Sequence, residues 1–494
     1  MRAQPGLQLV TSSVVAMSLD GSEVVTSGDD GIVYRLCVGH GASRPLVLFR
    51  TDPLMPAPFL TEPPARLWWL KRDRVAVLDV ASGSEVAGGF PFPEPITALI
   101  DGQGALRPDL HCMVVRTAAG DWQAWECDAT GVRQTVSLED APDGASAILL
   151  GADGDFVAII PQNQPQTVRF WNVHTGRVVP LSAQYPAVLR RLDNTRPACF
   201  STDGRRFVAG DASGVVKIWD PATGESLTQL GPLRQTVILG LDFSRDGRRI
   251  VTRNNWSEVQ LWDASSGRPA SPVLVDGGDI RGAAFSPAGE ILLTWATNGV
   301  ARVWDGRSGA PMSDPMRHPG SEIRAAAFAA DSRRVATASE DRTARVWDAR
   351  SGQPVTEPMM HEDCKRVLDC AISPDGRFLQ TEPGSLPGAA PTYCIWSVPP
   401  DAGDAPASEW LLQLATILAT KSVNDAAQCV EVPEVLAQLD DVRRQLAALP
   451  PDAPYAEWGR WVLDDSPTRP IAPGFTITLA EAEEMRVRFC GSDR

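Results

Sequence analysis

Four times in the middle of the chain an alternating apolar run closes on Trp-Asp and meets a Ser-Gly or Thr-Gly pair. The copies read KIWDPATG, QLWDASSG, RVWDGRSG and RVWDARSG. Their tryptophans, Trp219, Trp262, Trp304 and Trp347, stand 43, 42 and 43 residues apart. Between them one plan repeats. An apolar strand ending in Phe-Ser leads to an Asp-Gly type turn, as at Asp203-Gly204, Asp246-Gly247 and Asp375-Gly376. An alternating strand, a tight turn and the Trp-Asp strand follow, and the Ser/Thr-Gly turn leads to one more short strand. Asp-Gly suits a two-residue hairpin because the turn demands positive φ. Four short strands at a period near 43 predict a propeller blade rather than a helical solenoid. Such a unit has two faces to cover, so neighbours must stack, and closing the series protects the sheet edges.

Decayed copies extend the series. CAISPDGRFL runs to Cys394-Ile395-Trp396 downstream; Trp171-Asn172, Trp125-Glu126, Leu78-Asp79 and Leu36 hold the Trp-Asp place upstream. That makes nine units between about Ser13 and Val398. GLQLVTS precedes the first unit, and the last stops after CIWSVPP without its final strand. The expected fold is therefore an all-β propeller of about nine four-stranded blades over residues 1–398; that the N-terminal strand completes the last blade is what a resemblance to known propellers implies. Eight blades is the alternative, one degenerate unit near residues 40–130 then doing something else. PPDAGDAPAS reads as a linker over 399–407. Residues 408–494 are expected to be a mainly helical extension packed on the propeller. Trp410, Leu411, Leu414, Ile417 and Leu418 form a helical stripe, PEVLAQLDDVRRQLAALP repeats it, YAEWGRWVLDD is a short third helix, and TLAEAEEMRV opens on Thr478 and Glu481 in capping-box spacing.

By these residues the chain resembles WD40-repeat β-propellers, firmly over 195–350 and loosely before them. The resemblance implies that each Trp packs between strands and joins a hydrogen-bonded set of His, Ser/Thr and Asp. One unit carries all four: His318, Thr337, Asp341 and Trp347. Its neighbour has Thr294 and Trp304 but Asn298 for the Asp and no His; the unit before has Thr252 and Trp262. The polar network is thus expected to be mostly absent, leaving packing to apolar contacts and turns. WGRWVLDDSPTRPIAPGFTITLAEA further resembles the tails after WD40 arrays in bacterial proteins, many of which carry a serine/threonine kinase; the kinase signatures are missing here.

The charge balance, 46 Lys+Arg against 61 Asp+Glu, gives −15 and argues against nucleic-acid or anionic-membrane partners. The nine cysteines are scattered without a Cys-x-x-Cys pair, so neither a zinc site nor a disulfide framework is predicted, and a reduced, cytoplasmic protein is expected. No apolar run is long enough to span a membrane, and the N-terminus reads as strand-turn-strand rather than as a signal peptide. No P-loop, HExxH or GxSxG occurs. Of five histidines, His318 and His361 take the structural place before a blade, His40 and His174 lie in turns and His111 stands alone. No catalytic, metal or cofactor residue is predicted.

Arg196, Arg281 and Arg324 each lie four residues before the first-strand Phe (Phe200, Phe285, Phe328). Equivalent positions in a ring point the same way, and the resemblance places this one on the partner-binding top rim. Three guanidiniums there suit carboxylates or phosphorylated segments, with Glu322 and Glu340 partly neutralising them. The expected function is a non-enzymatic scaffold or sensor for a protein or peptide, monomeric outside a complex. The alternatives are a hydrolase with a site in the central channel, and a structural or regulatory subunit of a larger bacterial complex.

Overall fold

The computed structural model describes strands only, as backbone, between residues 7 and 112, then most of residues 112–399, and parts of a helical segment between 409 and 478. Among the described residues the strands fall into nine consecutive antiparallel sheets and one small hairpin, Lys421–Val423 with Cys429–Glu431. Eight sheets have four strands and the sixth has three. The first comprises Ser13–Met17, Glu23–Ser27, Ile32–Cys37 and Leu46–Arg50. Leu36, Leu78, Trp125 and Trp171 each lie on the third strand of their sheet, where the repeat puts them. The ninth sheet, Val367–Ile372, Phe378–Pro383 and Thr392–Ser397, takes its fourth strand from the N-terminus: Leu7–Val10 pairs antiparallel with Thr392–Ser397.

The core lies between sheets. Ala336, Ala338, Ala344 and Val346 of the eighth pack against Val367, Cys370, Leu379 and Trp396 of the ninth. Leu293 and Val303 of the seventh meet Ile323, Val335 and Trp347 of the eighth. Each face is half of an inter-sheet core, so no sheet is stable without its neighbours.

The turns explain the recurring polar letters. The Asp of each Trp-Asp opens the turn that follows: Asp348 Oδ1 accepts from the Ser351 amide and hydroxyl, both at 2.7 Å, and Asp305 does the same with Ser308. Asn172 offers its side-chain oxygen to Thr175 in the same way, which is why Asn is tolerated there. Gly352 closes the turn at φ 75°. There a side chain would also strike the Asp314 backbone of the preceding unit.

The C-terminal segment holds α1 (Glu409–Ala419), α2 (Val435–Ala448) and α3 (Ala456–Val462). Trp410, Leu414, Ile417, Val442 and Leu446 form their shared core. Gly459 is required where α3 crosses α1, since a Cβ would press on the Trp410 ring. Arg460 closes the end of α2 by donating to the Leu446 and Leu449 carbonyls. The segment lies against the sheets. Arg377 of the ninth sheet pairs with Glu457 at 3.1 Å, and Trp396, Met359, Leu414 and Trp458 line one cavity of about 690 Å³ between them. The expected fourth helix lies outside the described residues apart from Thr478, which bridges to Pro470. No helix among the described residues is long and apolar enough to cross a membrane.

Candidate functional site

Strand direction divides the sheets into two rims. On one, first strands end and second strands begin, and the Asp-Gly and Ser-Gly turns gather there. This rim is stitched from sheet to sheet: Thr202 Oγ1 donates to Arg245 O, Arg245 Nη1 to Pro287 O, and Arg334 Nη1 to Gly376 O, at 2.6, 3.1 and 2.9 Å. Thr202, Arg245 and Arg334 are thus occupied by architecture.

On the other rim the first strands of the sixth to ninth sheets each begin with an irregularity. Register slips between Ile238 and Gly240, Ile280 and Gly282, Ile323 and Ala325, and Val367 and Asp369. The residue skipped by the ladder is Leu239, Arg281, Arg324 and Leu368 in turn. A β-bulge leaves its extra residue unpaired and re-aims the side chain. Arg281 and Arg324 thus occupy the one first-strand position freed from the ladder.

They meet the expected acids. Arg281 Nε lies 2.6 Å from Glu322 Oε1 and its Nη2 donates to Oε2 at 3.1 Å. Arg324 Nη1 reaches the same Glu322 at 3.2 Å and Glu340 at 3.8 Å, and Arg366 approaches Glu340 at 3.7 Å. The result is a belt, Arg281–Glu322–Arg324–Glu340–Arg366, running from the seventh sheet to the ninth. Glu322 is only 15% exposed, whereas Arg281 and Arg366 each keep 49% of the side chain open. Arg366 was not singled out in the sequence, because it stands two residues before the bulge rather than in it. Arg196 lies outside the described residues.

The four-residue set comes together in the eighth sheet. Trp347 Nε1 donates to Thr337 Oγ1 at 2.8 Å, Thr337 meets His318 Nε2 at 2.7 Å, and His318 Nδ1 meets Asp341 at 2.9 Å. Burial pushes the Asp341 carboxyl up, but hydrogen bonds from His318 and Thr343 outweigh it and hold it at about 2. The expectation that the rest of the network is absent needs correction. Trp262 donates to Thr252 and Trp304 to Thr294, both at 2.9 Å. In the ninth sheet Trp396 donates to Thr381, which meets His361 Nε2. Where no Thr is available the indole finds another acceptor: Trp171 uses Glu139 O and Trp125 uses Gln123 Oε1. A buried indole N–H left unpaired is costly, and in these two sheets a change of partner avoids that cost.

In the seventh sheet Asp276 fills the histidine's place. Its carboxylate is bonded by Thr294 and lies 2.9 Å from Arg302 Nε; burial nevertheless raises it above the ordinary carboxylate range. The signal was present in the sequence, as VLVD beside PMRH and PMMH, but one extra residue conceals it.

His174, expected in a turn, ties two sheets. Its Nδ1 meets Glu126 of the third sheet and its Nε2 meets Asp155 at 3.0 Å, and hydrogen bonds from Asp155 and then Glu126 raise its affinity for a proton. Among the described residues no cluster of three His, Cys, Asp or Glu is placed to hold a metal ion.

Consecutive antiparallel sheets packed face to face, the sixth to ninth each with an indole bonded to a threonine across its inner strands, define a repeat protein of the propeller class. The family model described as WD domain, G-beta repeat matches residues 198–220 and 314–348, so these segments carry WD40 repeats. No curated protein matches the chain. Two solved structures align at low identity. The computationally designed Ika8 protein is 19% identical, over 80% of this chain and 98% of that one, with a TM-score of 0.45. The C-terminal WD40 domain of Sif2 is 12% identical, over 81% and 99%, with a TM-score of 0.49.

Proposed function

We propose that the chain is a non-enzymatic WD40 scaffold that binds a protein or peptide partner on the rim carrying the first-strand bulges. In this reading the nine sheets are nine blades of a ring closed by the N-terminal strand, in a cytoplasmic protein related to bacterial kinase-associated arrays. WD40 repeats generally serve as interaction platforms, and a rigid scaffold with one rim of loops suits that use. The observation that carries the reading is the charged belt. Three guanidiniums face two carboxylates across three sheets, with Arg281 and Arg366 half exposed, while on the opposite rim Thr202, Arg245 and Arg334 are spent on stitching. Arginine at a bulge offers a planar fork to carboxylates or phosphoryl groups without disturbing the ladder.

The test is partner capture from the native host, with mass spectrometry, by the parent and by an Arg196→Ala, Arg281→Ala, Arg324→Ala variant shown to be folded by circular dichroism. The variant should lose at least one specific partner. Retention of every partner of the parent would overturn the assignment of this rim.

A further inference from the structure

One cation on this rim has no counterpart. Arg253 is the last residue but one of the second strand of the sixth sheet, Arg249–Asn254, and is half-buried, yet its side chain makes no hydrogen bond or ion pair among the described residues. Its side chain lies against Gly240 of the bulged first strand: a Cβ there would sit 3.5 Å from Nε and 3.9 Å from Nη2. Burial, and then repulsion from another cation, Arg281 of the seventh sheet, weaken its hold on its proton. Glu322 already answers part of the Arg281 charge, so the uncompensated cost falls on the half-buried Arg253, and an anion there relieves it.

The neighbouring sheet uses the same position differently. Trp295 ends the second strand Ile291–Ala296 and lies over Gly282, so close that Gly282 can carry no side chain. The indole is half-exposed, directly after Arg281 around the rim. Two glycines in successive bulged strands thus seat one guanidinium and one indole. The eighth sheet has Ala325 and Ala338 at these places and presents neither.

Resting on the rim reading above, we propose that Arg253 and Arg281 form a socket for one anionic side chain of a partner peptide, with Trp295 receiving an apolar residue beside it. The occupant is a short segment with a single acidic or phosphorylated residue. A long acidic run is disfavoured by the chain's formal charge of −15. Carboxylate and phosphoryl groups share the chemistry, and the test separates them.

The probes are four pools of fluorescein-labelled heptapeptides with Glu, Gln, phosphoserine or Ser fixed at the centre and the flanks randomised, titrated against the full chain by anisotropy. The Glu or the phosphoserine pool should bind at least tenfold more tightly than its uncharged counterpart; which one does identifies the source of the anion. Arg253→Met should abolish that preference, whereas Arg324→Met should change it less than threefold. Arg253→Met should also raise the Tm of the peptide-free protein, because an uncompensated half-buried charge is removed. A Tm that falls marks Arg253 as structural and overturns the proposal. So does a parent that does not discriminate the pools, or an Arg253→Met protein that still does. If the pools do not discriminate while the triple variant loses a partner, the socket fails and the rim reading stands; a triple variant that keeps every partner overturns both, because Arg281 belongs to both.

Discussion

At the scale of single residues the Trp-Asp pair divides into two tasks. The indole is a buried wedge whose N–H must find an acceptor, and the carboxylate organises the next turn. Thr337 is the node of the fullest set: its hydroxyl oxygen receives the Trp347 N–H while meeting His318. The ninth sheet builds a shorter version in which His361 is buried and pushed down to about 4. An unfolded histidine titrates near 6.5. Below that pH the unfolded chain takes up a proton that the fold refuses, so stability is full above pH 6.5 and is lost as pH falls towards 4. The slope is about 1.4 kcal/mol per pH unit. Urea unfolding between pH 7 and pH 4 should show this loss, and His361→Gln should flatten that stretch of the curve. Asp341 acts lower, since its contribution is complete above the ordinary carboxylate range and fades only towards pH 2. An unaltered slope in His361→Gln would mean that the imidazole is not buried in neutral form.

At the scale of the element the recurring fourth strand shows what was legible in the sequence. Strands, turns and the nine-fold spacing are written locally, as alternation, Asp-Gly and Ser-Gly, and were readable. The way the fourth strand joins was equally present but not recognised: Pro269-Ala-Ser271, Pro311-Met-Ser313 and Pro354-Val-Thr356. Each Pro bridges the Trp of the third strand, and each hydroxyl accepts a third-strand amide, from Leu261, Val303 and Val346, at 3.0–3.1 Å. The hydroxyl oxygen gives the buried third-strand amide an acceptor, while that residue's carbonyl takes the N–H of the residue after the Pro. Ser313→Ala leaves the buried Val303 amide unsatisfied and should cost about 1–2 kcal/mol in chemical denaturation. A change below about 0.3 kcal/mol would mean that water replaces the hydroxyl. The candidate site was legible only in part. Arg281, Arg324, Glu322 and Glu340 share a phase with the repeat and could be found by alignment. Arg253 and Trp295 stand at no motif position. Their roles depend on glycines that face them across strands and on the neighbouring sheet, which spacing along one chain does not encode.

At the scale of the molecule the decisive contact is between residues almost four hundred apart. Leu7–Val10 pairs with Thr392–Ser397 in the register Leu7↔Ile395 to Val10↔Thr392. Without it the ninth sheet would end in an open edge formed by its Trp396 strand, a template for pairing with another chain. The inter-sheet cores make each sheet depend on the next, so a closed series should unfold cooperatively, whereas an open one frays from its ends. Removing residues 1–11 should therefore do more than delete four ladder residues. The Tm should fall by several degrees, the single transition should broaden or split, and dimers should appear in light scattering as free edges pair. A synthetic peptide spanning Gly6–Ser12, added in excess, should restore the monomer and part of the lost Tm through mass action. The helical segment provides the control. Arg377→Ala cuts the ion pair to Glu457, which is half exposed on both sides, and should move the Tm by less than a degree or two. If the truncated chain melts like the parent and stays monomeric, the strand does not protect the edge of the ninth sheet and adds nothing to the stability of the array.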